Sequence, residues 1–299
     1  MFDCFLGRRI YEKLAPCWPE GLPLRPGGLE LTEKALSVCS FPPGARVLDI
    51  GCGTASTVEY LVARHGFRAL GLDPSLVMLE SGLKRNATLP VVQAAGEDLP
   101  FRECVWDGIM AECSLSVARD AAFVLRECYR VLKDGGKLLV CDLYRRDARA
   151  GVPGDRALSV PRSSLCGRPE AVRGRVEGRA PDAMTPVEHE RDASKYVREH
   201  EGVPSKQEIM ERLHASGFEV ALWEDHSPAL TRFAAQLILS GDILEFQCGG
   251  LAPRGDDNRS FVHSLYPLCG DGLGYFLLIA GKPGRGSSNP AEPAKSTGG

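Results

Sequence analysis

Val47-Leu48-Asp49-Ile50-Gly51-Cys52-Gly53-Thr54-Ala55 is the stretch that decides the fold of this chain. An apolar strand runs into an acidic residue and two closely spaced glycines, and the residues after them have the pattern of a helix. Glycine has no Cβ, so the backbone at positions 51 and 53 can approach a ligand closely and adopt φ and ψ values that other residues resist. The stretch predicts a turn that binds a nucleotide-like cofactor.

The residues around the two glycines favour a cationic ligand over a dinucleotide. Dinucleotide sites have G-x-G-x-x-G after the strand, with a pyrophosphate at the helix N-terminus. Here Ala55 and Ser56 stand where the third glycine is expected, and Asp49 lies just before the first glycine. A carboxylate at that place repels a pyrophosphate but suits the amino group or the sulfonium region of S-adenosyl-L-methionine.

A second acidic residue supports this cofactor. Residues 68–73 have the pattern of a short buried strand that ends in Asp73, and Pro74 is expected in the first turn of the next helix. The spacing from the glycine turn, about 20 residues, matches the acidic residue that holds ribose hydroxyls in Rossmann-type sites. Enzymes that use NAD also hold the ribose hydroxyls with an acidic residue at this spacing. The alternative is that Asp73 caps the following helix.

Five motifs, including the two already described, occur in a collinear order, and with them the chain resembles class I S-adenosylmethionine-dependent methyltransferases, close to the small-molecule branch of ubiquinone and menaquinone biosynthesis. The motifs are Leu48–Thr54, Gly71–Pro74, Gly96–Phe101, Trp106–Ile109 and Tyr129–Val140. The resemblance covers roughly residues 44 to 144. It implies an α/β fold: a doubly wound, Rossmann-like, seven-stranded, mostly parallel sheet with an antiparallel last strand.

The resemblance also implies a cofactor site made of Asp49, Gly51, Gly53, Asp73 and Gly96. Two positions depart from the family pattern: Ala55 replaces the usual third glycine, and Ala95 stands where an Asp or Asn often contacts adenine. Adenine recognition is therefore expected from the backbone of Gly96 and from apolar packing, with Glu97 and Asp98 either contributing a contact or forming a solvated loop.

Hydrophobic periodicity and turn residues divide the chain into alternating strands and helices. Strands are predicted at 46–50, 68–73, 90–95, 106–113, 136–143, 218–223 and 274–280, and helices at 54–65, 74–86, 120–133 and 205–214, after a short helix that ends near Cys39. The predicted regions are an N-terminal cap (1–43), a cofactor-binding core (44–144), an insert that forms a lid or an inert loop (145–204), the C-terminal part of the core (205–282) and a disordered tail (283–299).

Candidate catalytic residues follow the predicted strands, because ligands of open α/β sheets bind beyond the carboxyl ends of the strands. Glu112 is the candidate general base; it could instead balance the cofactor's charge or simply hydrogen-bond at a strand end. Arg25, in the N-terminal cap, either meets the cofactor's carboxylate or belongs to a turn that starts a helix. The other candidates are Cys113, Ser114, Asp142, Tyr144, His200 and His226.

The predicted reaction is in-line transfer of a methyl group from S-adenosyl-L-methionine to a small-molecule acceptor. Two alternatives remain open. Thiolates of Cys113, Cys141, Cys166, Cys248 and Cys269 could bind a soft metalloid such as arsenite before its methylation. A cofactor-binding protein that has lost transfer activity could serve as a sensor or assembly partner.

Composition fits a cytoplasmic enzyme. The 299 residues are 43% hydrophobic and 25% charged, enough to bury one sizeable core and an additional lobe. The net charge of -3 gives no basis for a nucleic-acid partner, and no apolar run is long enough to predict a membrane span. The 11 cysteines include no C-x-x-C pair, so reduced thiols and no metal site are expected. No oligomeric state is predicted.

Overall fold

The computed structural model describes residues 11–12, 14–15, 18–146, 202–247 and 272–284, with backbone only for 238–247. Most of the predicted insert and of the predicted tail lie outside these residues. The same holds for His200, Cys166, Cys248 and Cys269. Predictions about them stay predictions.

Seven strands form one sheet in the order β3-β2-β1-β4-β5-β7-β6. Strands β1 to β5 pair in parallel, whereas β7 lies between β5 and β6 and is antiparallel to both. The predicted fold class, including the antiparallel last strand, is confirmed. The strands are β1 (Arg46–Ile50), β2 (Arg68–Asp73), β3 (Val91–Gln93), β4 (Trp106–Glu112), β5 (Leu132–Arg145), β6 (Glu219–Asp225) and β7 (Leu273–Gly281).

Six helices of the described chain pack on the sheet. They are α1 (Gly28–Cys39), α2 (Ser56–His65), α3 (Leu76–Arg85), α4 (Ala121–Val131), α5 (Lys206–Ala215) and α6 (Ser227–Gln247). Helix α5 begins with the predicted capping box, in which Ser205 and Glu208 each accept the other's backbone N–H. Helix α6 was not predicted, although Pro228 in its first turn and the Ala- and Leu-rich run that follows are helix signals.

The central strands are buried on both faces because helices cover both sides of the sheet. In β1, Val47 packs into one hydrophobic cluster and Leu48 into the other, as alternating side chains of a strand must. This double burial explains why the strand is a nearly continuous apolar run, and why the one carboxylate within it, Asp49, is unusual.

Two predicted helix ends are wrong. Pro74 precedes helix α3 instead of lying in its first turn, because Ser75 caps the helix and Leu76 is its first residue. The helix predicted at 120–133 ends earlier than expected, at Val131, and β5 begins at the next residue. Gly135 does have a positive φ of 78°, but it sits in an irregularity of β5, where the register with β4 shifts.

None of the helices in the described ranges is long and apolar enough to span a membrane.

Candidate functional site

A cleft lies at the edge of the sheet where β1, β2 and β4 end. Its lining includes all five residues predicted to bind the cofactor and the candidate general base: Asp49, Gly51, Gly53, Asp73, Gly96 and Glu112. They meet because the carboxyl ends of parallel strands share one edge of a sheet. The cleft lies at the switch point of the strand order, where β1 has β2 on one side and β4 on the other, which is where open α/β sheets bind ligands.

The glycine turn after β1 needs its glycines. Gly51 and Gly53 have positive φ values of 73° and 56°. A Cβ on Gly51 would lie 2.5 Å from the Cβ of Ser114, a distance that forces the backbone to move. The N–H groups of Gly51 and Cys52 both donate to the carbonyl of Leu72, at 2.8 and 3.0 Å, and so fix the turn against β2. The turn is therefore rigid and carries no side chain that would keep a ligand away from the two glycines.

Ala55, at the position of the missing third glycine, adopts the conformation that a glycine would take. Its φ is 59° and its ψ is 27°, in the left-handed region, and it directly precedes helix α2. Left-handed backbone is unfavourable for a residue with a Cβ. The departure from the family pattern thus keeps the path of the backbone and introduces local strain.

Asp73 is oriented by two backbone donors at the end of β2. One carboxylate oxygen accepts the N–H of Gly53 at 2.9 Å, and the other accepts the N–H of Ser75 at 2.8 Å. The alternative in which Asp73 caps the helix is wrong, because the side chain of Ser75 accepts the N–H of Met78 and caps α3. The carboxylate bridges the glycine turn and the second strand, and it borders the cleft.

Asp49 is a buried acid in a negatively charged neighbourhood. Burial raises the pKa of Asp49 well above the ordinary value, and the nearby carboxylates of Glu112 and Asp73 raise that pKa further, while Arg25 lowers it. Burial and the two carboxylates disfavour a negative charge at Asp49, whereas Arg25 favours it. A cation placed in the cleft would favour the ionised carboxylate.

Glu112 and Arg25 form a buried ion pair beside the cleft. Arg25 Nη2 lies 2.8 Å from Glu112 Oε2, and Arg25 Nη1 donates to the carbonyl of Gly28 at 2.7 Å. Thr32 and Thr57 donate their hydroxyls to the two oxygens of Glu112 at 3.1 and 3.2 Å, and Arg25 also donates to Thr32. Every oxygen of Glu112 is thus engaged. These contacts favour a structural role for Glu112, and its assignment as a general base stays a prediction.

The N-terminal segment contributes contacts that the sequence did not reveal. Tyr11 borders the cleft, and Glu12 accepts a hydrogen bond of 2.6 Å from the hydroxyl of Ser75, next to Asp73. The hydroxyls of Thr32 and Thr57 were also missed. No local pattern marks these residues, because their partners are far away in the sequence and meet them only when α1 and α2 pack against the sheet.

Gly96 lies where a side chain would collide with the core. A Cβ at this position would approach Ile50 at 3.0 Å and Val124 at 3.2 Å. The carboxylate of the adjacent Glu97 accepts the N–H of Arg119 at 2.9 Å, so it is held in the loop instead of being free in solvent. Packing against the core therefore requires glycine at this position, and Gly96 also borders the cleft.

Burial disfavours the thiolate form of the two described cysteines that were predicted as metalloid ligands, Cys113 and Cys141. Burial raises the pKa of the Cys113 thiol to about 12 and raises that of Cys141 well above its ordinary value, so both stay protonated near neutral pH. Cys113 Sγ lies 3.3 Å from the hydroxyl of Tyr275. Within the described chain no group of three or more His, Cys, Asp or Glu residues has the geometry of a metal site.

His226 and Asp142 have local partners. His226 Nε2 lies 2.9 Å from the carboxylate of Glu224, just before helix α6. Asp142 accepts the backbone N–H of Ser116 at 3.0 Å and so holds the loop after β4. Neither borders the cleft.

Known proteins resemble a central part of the chain. Residues 48–140 match a family model described as a methyltransferase domain. Over 119 residues the chain is 40% identical to the demethylmenaquinone methyltransferase of Corynebacterium kroppenstedtii, covering 39% of this chain and 50% of that protein. Over 125 residues it is 29% identical to phosphoethanolamine N-methyltransferase 3 of Arabidopsis thaliana, covering 40% of this chain and 25% of that protein. The chain thus spans half or less of the length of these curated relatives.

Solved structures share the fold. Phosphoethanolamine N-methyltransferase 2 of Haemonchus contortus, in complex with S-adenosyl-L-methionine, superimposes with a TM-score of 0.62 and 18% identity, over 93% of this chain and 59% of that one. The [4+2]-cyclase SpnF superimposes with a TM-score of 0.64 and 21% identity, over 92% of this chain and 95% of that one. Residues 48–140 are thus similar to the methyltransferase domain family, and these solved structures share the fold of the chain.

Proposed function

We propose that this protein binds S-adenosyl-L-methionine in the cleft and transfers its methyl group to a small-molecule acceptor. The observation that carries the proposal is the hydrogen bond between the glycine turn and the oriented carboxylate of Asp73. The N–H of Gly53 in the glycine turn donates to Asp73 at 2.9 Å, so both elements of the binding pattern are held in one rigid unit.

The order of the strands supports a division of roles along the cleft. Asp73 ends β2 and holds the two ribose hydroxyls, because a carboxylate oxygen can accept more than one hydrogen bond. Gly96, beyond β3, lies against the adenine. Gly51 and Gly53 let the backbone approach the middle of the ligand. The amino-acid end then points toward β4.

Charge in the cleft supports a cationic ligand. Asp49 and Glu112 lie at neighbouring strand ends, where Arg25 neutralises Glu112. A ligand with a sulfonium and an ammonium group compensates the acidic surroundings of Asp49, whereas a pyrophosphate would add to the repulsion. This difference favours S-adenosyl-L-methionine over a dinucleotide.

The bound cofactor supplies a methyl group on a sulfonium, which is already a good leaving group. The contribution of the protein is to orient the reactants and to keep water out. We infer that the Arg25–Glu112 pair helps to exclude water, because it holds the segment before α1 against the end of β4, beside the cleft. The names of the curated relatives contain acceptors of low molecular mass, demethylmenaquinone and phosphoethanolamine, which supports a small-molecule acceptor here.

Calorimetry and a transfer assay test the proposal. The wild-type protein is titrated with S-adenosyl-L-methionine, S-adenosylhomocysteine and NAD, and is then incubated with methyl-labelled cofactor and a metabolite extract. We expect binding of the first two ligands, no binding of NAD and labelled products of low molecular mass. Tight NAD binding, or no binding of either adenosyl ligand, overturns the cofactor assignment. Binding without transfer to any metabolite favours the sensor alternative.

A further inference from the structure

Asp49 is a buried carboxylate to which no described residue donates a hydrogen bond. The residue is 3% exposed, is the last but one of β1 and borders the cleft. The influences on its pKa are burial and the charges of neighbouring side chains, with no hydrogen bond among them. Asp73, by contrast, accepts two backbone N–H groups. A buried carboxylate without a donor is unfavourable, so its presence at the edge of a ligand site needs an explanation.

The cleft has an excess of negative charge around Asp49. Among the described residues, its lining contains four acidic side chains and one basic side chain: Asp49, Asp73, Glu97, Glu112 and Arg25. The basic side chain is already engaged, because Arg25 lies 2.8 Å from Glu112. Asp49 therefore has no cation of its own in this lining.

Titratable groups on several elements face Asp49. Burial raises the pKa of Asp49, Glu112 at the end of β4 and Asp73 at the end of β2 raise it further, and Arg25 before α1 lowers it. Cys52, in the glycine turn, is a further titratable neighbour, but burial raises the pKa of its thiol well above the ordinary value, so the thiol stays neutral. The empty cleft thus favours the protonated form of Asp49, and a positive charge beside it favours the ionised form.

With the cofactor bound as proposed above, its sulfonium lies over β1. The ribose is at Asp73, which ends β2, and the amino-acid group points toward β4. In the sheet β1 lies between these two strands, and in the cofactor the sulfonium lies between these two groups. Transfer of the methyl group turns the sulfonium into the neutral thioether of S-adenosylhomocysteine. The reaction therefore removes a positive charge beside Asp49.

We propose that Asp49 makes the cleft select the cofactor over its demethylated product by charge. The proposal rests on the proposed function. Asp49 is protonated in the empty cleft and in the S-adenosylhomocysteine complex, and ionised when S-adenosyl-L-methionine is bound. Cofactor binding releases the proton of Asp49 to solvent, and the carboxylate takes up a proton from solvent once the methyl group has left. Asp49 thereby increases the affinity for the cofactor relative to that for the product, which favours the exchange of product for fresh cofactor.

Calorimetry with three ligands tests the proposal. S-adenosyl-L-methionine carries a sulfonium, sinefungin carries an ammonium group in its place, and S-adenosylhomocysteine has a neutral sulfur there. Asp49→Asn keeps the size of the side chain and removes its charge. At the pH where the wild type binds S-adenosyl-L-methionine most tightly, we expect the variant to lower the affinity of the two charged ligands relative to S-adenosylhomocysteine by about tenfold.

A second measurement needs no variant. Titrations in buffers with different enthalpies of ionisation give the number of protons released on binding. Across a pH series, the wild type should release up to about one proton more with S-adenosyl-L-methionine than with S-adenosylhomocysteine. Asp49→Asn should show no such difference.

Asp107→Asn is the matched control, because Asp107 is an acidic residue of β4 that pairs with Lys133 and does not border the cleft. It should leave the affinity ratios and the difference in proton release unchanged. If Asp49→Asn weakens all three ligands by the same factor, the inference is overturned, since Asp49 then contacts a group that they share. Equal proton release with both ligands in the wild type overturns it too. In both cases the proposed function stands, whereas a wild type that binds none of the ligands overturns the proposed function and this inference together.

Discussion

Arg25 and Glu112 approach each other to 2.8 Å with side chains that are each 5% exposed. The pair joins the segment before α1 to the last residue of β4, two parts of the chain that share no local sequence signal. A buried ion pair is a weak source of net stability, but the loss of one partner leaves the other charge buried and uncompensated. The ion pair therefore holds the N-terminal segment against the end of β4, and this contact needs both residues.

Removing one member should be more damaging than removing both. We expect Glu112→Ala to lower the free energy of unfolding by about 3–5 kcal/mol, because Arg25 then stays buried without a counter-charge. The double variant Arg25→Met/Glu112→Leu should recover a large part of this loss, since two apolar side chains of similar size replace both charges. Urea unfolding of the wild type, the single variants Arg25→Met and Glu112→Leu, and the double variant measures the coupling. Additive losses in the double variant would show that the two residues do not act as a pair.

A further variant, Glu112→Gln, tests the catalytic assignment of Glu112. If Glu112 is a general base, Glu112→Gln should lower kcat by about 10²-fold or more and leave the affinity for S-adenosyl-L-methionine unchanged. If it only holds Arg25, the variant should lose stability and keep kcat within about tenfold. The folded fraction at the assay temperature must be measured alongside, so that loss of folded protein is not taken for loss of chemistry.

Asp73 should be the strongest determinant of affinity for the cofactor. Asp73→Ala removes charge-assisted hydrogen bonds to the ribose, each worth about 1.5–3 kcal/mol, so affinity for S-adenosyl-L-methionine should fall by tenfold or more. The variant also leaves the N–H groups of Gly53 and Ser75 without their acceptor, and some stability will be lost. Asp120→Ala is a suitable control, because Asp120 caps α4 by accepting two backbone N–H groups. It should lose stability without losing affinity, and an unchanged affinity in Asp73→Ala would remove the ribose assignment.

Asp49 should make both stability and binding depend on pH. Its pKa in the folded protein is raised by burial and by neighbouring carboxylates above the unfolded value near 3.8. The contribution of Asp49 to stability is therefore fully present below that value and is lost as the pH rises through the folded pKa. Between the two pKa values, the free energy of unfolding of Asp49→Asn should increase relative to that of the wild type by about 1.4 kcal/mol per pH unit.

The affinity for S-adenosyl-L-methionine should change with pH in the opposite direction to the stability. A cationic ligand favours the ionised form of Asp49, so the wild-type affinity for S-adenosyl-L-methionine should increase with pH over the same interval, and that of Asp49→Asn should be weaker and flat. Urea unfolding and calorimetry at a series of pH values measure both trends. Parallel stability curves for the two proteins would contradict the raised pKa.

The sequence was sufficient for the parts of the site that local patterns encode. Short local patterns encode the strand before Gly51, the glycine turn and the strand that ends in Asp73. The predicted bounds of the two strands, 46–50 and 68–73, are confirmed. The capping box at Ser205 is equally local. In such stretches burial, turn chemistry and hydrogen bonding all favour the same structure.

Contacts between distant segments were not predictable in the same way. Thr32 donates to Glu112 across 80 positions of sequence, and nothing near either residue signals the other. Helix ends were also predicted less well than helices, as at Val131, where pairing of Leu132 with Trp106 takes the backbone into β5 at once. Tertiary packing decides such features, and a single sequence does not record it.

Ala55 offers a test of how this chain departs from its family. Its φ of 59° is favourable only for glycine, and its methyl group is buried. In Ala55→Gly, relief of the strain, about 1 kcal/mol, opposes the loss of one buried methyl group, about 0.8 kcal/mol, so the free energy of unfolding should change little. Ala55→Val should instead destabilise the protein by more than about 2 kcal/mol, because a β-branched residue tolerates left-handed backbone poorly and the core has no room for it. Urea unfolding separates the two variants, and calorimetry should find a nearly unchanged affinity for S-adenosyl-L-methionine in Ala55→Gly. A Val variant as stable as the wild type would mean that the backbone at this position is not left-handed in solution.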